Sequence, residues 1–141
     1  MGIPVLSLEG KVAVITGSSQ GIGKALALGF AEAGASVVLA ARGITELEAT
    51  AQEIAAQGGK ALAVPTDVTN SAQVSEMVQS AVKEFGRVDV LVNCAGGAGR
   101  RPMIPLLDMS EEAWDAILAL NLKGVYLCCR AAGRVMVEQK S

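Results

Sequence analysis

Residues 11–24 read Lys11-Val12-Ala13-Val14-Ile15-Thr16-Gly17-Ser18-Ser19-Gln20-Gly21-Ile22-Gly23-Lys24. Lys11 to Thr16 carries an apolar run that does not alternate with polar residues, the pattern of a strand buried on both faces. Gly17, Gly21 and Gly23 then make a glycine-rich turn. From Gly21 to Ala33 the pattern is helical, with Leu26, Phe30 and small alanines on the inner face. A strand, a glycine-rich turn and a helix in that order form a phosphate-binding unit. The glycines let backbone N–H groups approach an anion, and the helix directs its positive dipole end at the charge. The G-x-x-x-G-x-G spacing is looser than G-x-G-x-x-G. No Gly-Lys-Ser/Thr follows, so it is not a P-loop.

The rest of the chain repeats this alternation. Gly34 stops the first helix, and Ser36 to Ala41 is a second continuous apolar strand. Thr45 to Gln57 is predicted helical, with Thr45 and Glu48 at capping-box spacing and Gly58-Gly59 as its end. Lys60 to Val64 is a third strand, closed by Pro65. Asn70 and Gln73 offer a second capping box for a helix that runs to Phe85 and stops at Gly86. Arg87 to Val92 is a fourth strand, followed by a Gly- and Pro-rich loop from Asn93 to Met109. Ser110 is a good N-cap, with Glu111 and Glu112 suited to the first turn of a helix running towards Glu138. The order β-α-β-α-β-α-β-α with short connections predicts a parallel sheet with helices on both faces. Right-handed crossovers give the strand order 3-2-1-4, so the winding reverses between strands 1 and 4. A ligand belongs in that crevice, over the carboxyl ends of the strands.

Composition narrows the function. The 141 residues suit one domain, 1–141, and with 51% hydrophobic and 18% charged residues they can build a large core. Aromatics are few, only Phe30, Phe85, Trp114 and Tyr126, so that core is aliphatic. A net charge of -2 without a basic run argues against nucleic acid or an anionic membrane as partner. No apolar run reaches the ~20 residues of a membrane span. The N-terminus lacks signal-peptide character, which makes the cytoplasm the expected location. The chain has no histidine, and its three cysteines, Cys94, Cys128 and Cys129, fit neither a zinc motif nor a disulfide framework. A Ser-His-Asp triad is excluded, and no metal site is expected.

The end of strand 2 bears on the cofactor. About 20 residues past such a turn, an acidic residue would hold the ribose 2′-hydroxyl of NAD. Here Ala41-Arg42 stands instead. A guanidinium grips a 2′-phosphate that a carboxylate would repel, so Arg42 favours NADP over NAD.

Thr16-Gly17-Ser18-Ser19-Gln20-Gly21-Ile22-Gly23 resembles the cofactor turn of the short-chain dehydrogenase/reductase family. Three further stretches agree with that family in order and spacing: Asp67-Val68-Thr69, Asn93-Cys94-Ala95-Gly96, and Trp114-Asp115 leading to Asn121-Leu122-Lys123-Gly124. The resemblance runs from Leu8 onwards, and is strongest to bacterial 3-oxoacyl-carrier-protein reductases and sugar or polyol dehydrogenases. It implies a Rossmann-type, doubly wound α/β sheet in three layers, and hydride transfer between a nicotinamide and a small-molecule carbonyl or secondary alcohol. It also implies a homo-oligomer as the full protein.

The resemblance further implies residue roles. Gly17, Ser18, Ser19, Gln20, Gly21, Ile22 and Gly23 would line the pyrophosphate and adenosine ribose. Asp67 would accept from the adenine amino group with the Val68 backbone beside it, although an aspartate here also suits a turn cap. Asn93, Ala95 and Gly96 would flank the nicotinamide-side ribose. Asn121 would be the asparagine of an Asn-Ser-Tyr-Lys catalytic set, anchoring a water in a proton relay. Cys94 stands where the family often has a second asparagine and reads as a small buried thiol. Tyr126, Cys128 and Cys129 read as packing or interface residues, and Arg100-Arg101 as a solvated loop that could meet an acidic substrate.

The serine and the Y-x-x-x-K pair of that set have no counterpart in these 141 residues, since Tyr126 is followed by Leu127-Cys128-Cys129-Arg130. Strand 4 would also be an apolar edge, a hazard for aggregation. The expectation is therefore a cofactor-binding part of a longer enzyme, binding without turnover by itself. The other reading is a non-catalytic NADP(H)-binding or regulatory module.

Overall fold

A computed structural model describes residues 7–97 and 104–140. Arg100 and Arg101 lie outside the described residues. Four parallel strands, β1 (Val12–Thr16), β2 (Ser36–Ala41), β3 (Lys60–Pro65) and β4 (Val90–Asn93), form one sheet in the order β3-β2-β1-β4. Val14 of β1 lies between Val38 of β2 and Leu91 of β4. Helices α1 (Gly21–Glu32) and α2 (Ile44–Ala56) follow β1 and β2, and α3 (Ser71–Phe85) follows β3. After β4 come a short 3-10 turn at Leu106–Asp108, then α4 (Glu111–Leu118) and α5 (Gly124–Gln139), joined by a π-helical turn at Ala119–Lys123.

The period of two in the strands divides the core. Val12 and Val14 point to one face, where Val74, Met77, Val78 and Ala81 of α3 meet Leu127, Cys128 and Ala132 of α5. Ala13 and Ile15 point to the other, against Ala27 of α1 and Leu47 and Ile54 of α2. Because both faces are covered, β1 is apolar from Val12 to Ile15 and every one of its residues is buried. The sheet is thus the predicted Rossmann-like α/β arrangement with its winding reversed between β1 and β4.

Local signals held unevenly. Ser110 caps α4 through its Oγ, which accepts from Ala113 N at 3.2 Å. Asn70 caps α3, its Oδ1 accepting from Ala72 N and Gln73 N, but Gln73 does not return the bond to Asn70. It reaches further and accepts from Asp67 N at 2.7 Å, tying the β3–α3 loop to the helix. The box predicted at Thr45 and Glu48 does not form. Helix α2 begins one residue earlier, with Gly43 as its N-cap and no side-chain cap bond. Glu46 instead folds its carboxylate back against Gly43.

Two predicted spans are corrected. The last helix is interrupted, because Asn121 Nδ2 donates to the carbonyl of Ile117 at 2.9 Å where the helix widens into its π turn. Strand β4 begins at Val90 rather than Arg87. The Asp89 carboxylate turns back to accept from Val12 N at 2.9 Å and from Arg87 Nε at 2.8 Å, so the residues before Val90 serve as a staple between β4 and β1.

Candidate functional site

The carboxyl ends of the strands gather almost every residue singled out in the sequence. At the switch point, Thr16 closes β1 and is 1% exposed. Its Oγ1 accepts from Cys94 N at 3.2 Å and Ala95 N at 3.1 Å, and donates to Val92 O at 3.5 Å. One hydroxyl therefore joins the glycine turn to the loop after β4. By its spacing alone Thr16 belongs to the motif without an assigned role. A hydroxyl at the end of an otherwise apolar strand was the available signal.

Two glycines fix the shape of the turn. Gly17 has φ 67°, and a Cβ there would sit 2.7 Å from Ala95 N and from the Cys94 carbonyl. A Cβ on Gly23 would collide with the Gly17 carbonyl. The turn thus folds flat against the start of α1 and the loop after β4. Helix α1 opens at Gln20 with no side-chain cap and no acidic residue in its first turn. Gln20, Gly21 and Ile22 are exposed, and Ile22 keeps 76% of its surface open. Ser19 is half-buried between them.

Ser18 requires a correction. It is fully buried, its Oγ accepts from Ala40 N at 2.9 Å, and its own N–H donates to Ala40 O. Its side chain pins the turn to the end of β2 and has no surface left for a ligand.

At the β2 and β3 ends, Arg42 is exposed and Asp67 half-buried. Asp67 Oδ1 accepts from Thr69 Oγ1 at 2.7 Å and from Thr69 N at 2.9 Å. These two bonds lower its pKa below the usual carboxylate range, with a smaller contribution from the Arg42 charge. The turn-capping use of this aspartate is therefore present in the structure. Val68 buries its side chain in the core, where its Cγ2 would stand 2.8 Å from a Cβ placed on Gly124, so only its backbone is available at the rim.

At the end of β4, the Asn93 side chain turns to α5 and donates through Nδ2 to Cys129 Sγ at 3.5 Å. Ala95 and Gly96 follow, and a Cβ on Gly96 would lie 2.9 Å from Asn121 Oδ1. Asn121 Oδ1 accepts from Gly97 N at 2.7 Å while its Nδ2 donates to Gly97 O at 2.8 Å. A mid-helix asparagine thus carries the loop after β4 on both prongs of its amide. Of the remaining candidates, Cys128 is buried, and that burial pushes its thiol up to about 11, followed by the effect of Cys129. Tyr126 lies exposed under the guanidinium of Arg130, 5.2 Å from the ring centre.

A flat glycine turn before an uncapped helix, at the switch point of a parallel sheet, defines a dinucleotide-binding type of α/β protein. Residues 11–141 match the family model described as short chain dehydrogenase, and the chain belongs to that family. A 3-oxoacyl-[acyl-carrier-protein] reductase from Synechocystis is 43% identical over 136 residues, covering 96% of this chain and 54% of that protein. A metagenomic short-chain oxidoreductase solved in complex with NADP superposes with a TM-score of 0.85 at 41% identity, over 94% of this chain and 59% of that one. A 7α-hydroxysteroid dehydrogenase solved with NADH and 7-oxo glycochenodeoxycholic acid superposes with a TM-score of 0.88 at 34% identity, over 99% of this chain and 53% of that one. The chain spans about half the length of the curated relatives it matches.

Proposed function

We propose that the chain is the cofactor-binding part of an NADP(H)-dependent oxidoreductase that interconverts a small-molecule carbonyl and a secondary alcohol. The observation that carries this reading is the turn from Gly17 to Gly23, where Gly17 and Gly23 have no room for a side chain and which leads into a helix with no side-chain cap and no acid in its first turn. Its backbone N–H groups are the natural partners of a pyrophosphate. Gly17, Ser19, Gln20, Gly21, Ile22 and Gly23 form that cradle, and Ile22 covers the ligand with its open apolar surface. Ser18 holds the cradle to β2.

Related proteins have been solved with NADP and with NADH, so the choice falls to this chain's own residues. Arg42 stands at the end of β2 and forms a charge-assisted pair with a 2′-phosphate. Asp67 and the Val68 backbone border the adenine. Asn93, Ala95 and Gly96 border the nicotinamide-side ribose. Asn121 holds the loop after β4 and belongs to the proton relay. The bound dinucleotide supplies the hydride, and the chain's residues bind and orient it. The names of relatives, among them a 3-oxoacyl reductase, support a carbonyl substrate.

The full protein assembles as a homo-oligomer. Support for this comes from Trp114, Leu118, Leu122 and Tyr126, which are exposed along α4, the π turn and α5, where Leu118, Leu122 and Tyr126 line a groove of about 490 Å³.

Titrating the chain with NADPH and with NADH, read by nicotinamide fluorescence, tests the proposal. Tighter binding of NADPH is expected, and absence of binding of either dinucleotide would overturn it.

A further inference from the structure

The edge strand β4 is held at both ends by carboxamides from the same helical stretch. At its upper end, Asn121 pairs with both the N–H and the C=O of Gly97. At its lower end, Gln139 does the same to Val88: its Oε1 accepts from Val88 N at 2.9 Å and its Nε2 donates to Val88 O at 2.8 Å. A side-chain amide presents one donor and one acceptor side by side, so it can imitate one residue of a neighbouring strand. Val88 is itself fully buried, and its N–H and C=O would be costly to leave unpaired.

Asn121 precedes Gln139 in the helical stretch, whereas its partner Gly97 follows Val88 in the chain, so the stretch and β4 run in opposite directions with a rung beyond each end of the strand. Asp89, next to Val88, ties the lower end to Val12 of β1 as well. Between the rungs lies the segment that carries Asn93, Ala95 and Gly96.

We propose that Gln139 is a positioning residue for the nicotinamide-side loop, acting through Val88 and β4 and in concert with Asn121. The inference rests on the functional reading above. The β1 ladder and Asp89 set the register of β4 within the sheet, and the lower rung adds a fixed position of β4 against the helical stretch, which also carries the contacts to residues 93–97. Without that rung, the helical stretch grips this segment through Asn121 and Cys129, and residues 93–97 rely on those two and on Thr16 and the β1 pairing for their placement relative to the Gly17 turn. The adenosine half of the site, built on β2 and β3, does not depend on that rung.

The test separates the two halves of the cofactor. Gln139→Leu removes both bonds, and Gln139→Glu removes the donor while keeping the acceptor. NADPH and adenosine 2′,5′-bisphosphate, which carries only the adenosine half, are titrated against each variant and the unsubstituted chain. NADPH binding is expected to weaken about tenfold in Gln139→Leu, the size of a lost pair of hydrogen bonds, and by less in Gln139→Glu, which keeps one of them, with binding of the bisphosphate unchanged in both. Equal weakening of both ligands, or of neither, overturns the proposal.

Amide hydrogen exchange on the unsubstituted chain makes the same test without a substitution. NADPH should slow exchange at Gly97 and Val88 together, whereas the bisphosphate should slow neither. Protection of Gly97 without Val88 overturns the proposal. Failure of the unsubstituted chain to bind NADPH instead overturns the functional reading on which it rests.

Discussion

Thr16 Oγ1 accepts a hydrogen bond from Ala95 N at 3.1 Å, and so binds the end of β1 to the loop after β4 across most of the chain's length. The same oxygen serves Cys94 N. Thr16→Val keeps the shape and removes the acceptor, which leaves two N–H groups without it. A loss of about 2–4 kcal/mol is expected in urea unfolding, since each unsatisfied group costs roughly 1–3 kcal/mol. Thr16→Ser should recover most of it. Equal stabilities for the valine and serine variants would contradict this account.

Gly23 packs against the Gly17 carbonyl with no space for a methyl group. Gly23→Ala must therefore push α1 away from the turn. We expect a stability loss of about 1–3 kcal/mol and at least tenfold weaker dinucleotide binding. Gly29 lies in the same helix with open space around its Cβ position, so Gly29→Ala should be neutral or stabilising. Thermal melts and NADPH titrations of the two variants side by side check the contrast.

Arg42 is exposed and is the cation nearest in sequence to the end of β2. Arg42→Ala should weaken NADPH binding by about tenfold to a hundredfold, the worth of a charge-assisted bond, and leave NADH binding unchanged. Raising the salt concentration should narrow the difference in the unsubstituted chain, because the contact is open to solvent. A variant that loses both dinucleotides equally would assign Arg42 a structural role.

Asp89 is 5% exposed at its side chain and bonded to Arg87 and to Val12 N. The Arg87 bond, foremost, holds its carboxyl below the ordinary carboxylate value. A depressed folded pKa contributes stability that is present above the unfolded value of about 3.9 and is lost as pH falls through the folded pKa. Chemical unfolding between pH 7 and pH 3 should therefore show a stability gap between the unsubstituted chain and Asp89→Asn that shrinks on acidification. A gap that widens at low pH would refute the sign.

Cys128 and Cys129 are neighbours in sequence with opposite exposure. The thiolate is the reactive form, and burial raises the Cys128 thiol to about 11. Iodoacetamide at pH 8, followed by peptide mass mapping, should label Cys129 and spare Cys128 until the chain is unfolded.

The fold was legible because its signals are local or periodic. Continuous apolar runs such as Val12 to Ile15, a stop at Gly86 and a cap at Ser110 each act over a few residues, and alternation of strands with helices leaves few topologies. Arg42, Asp67 and Asn121 are candidates by their place in that order. Misread positions were those where two local partners competed. Thr45 offered a hydroxyl for α2, but the chain enters the helix through Gly43, so Glu46 folds back there instead. Ser18 stood in a turn suited to phosphate, yet the buried amide of Ala40 takes its hydroxyl.

What the sequence determined by itself is the α/β class, the strand order and the position of the glycine turn, because these follow from periodicity and backbone freedom. The tertiary structure alone decided which side chains stay open at the ends of the strands and which hold the frame. Thr16, Ser18 and Gln139 find their partners on other elements, and the need to pair buried N–H and C=O groups is met by whatever folding brings within reach. No spacing along the chain records that Val88 would be the residue opposite Gln139. That pairing exists only once α5 lies back along β4.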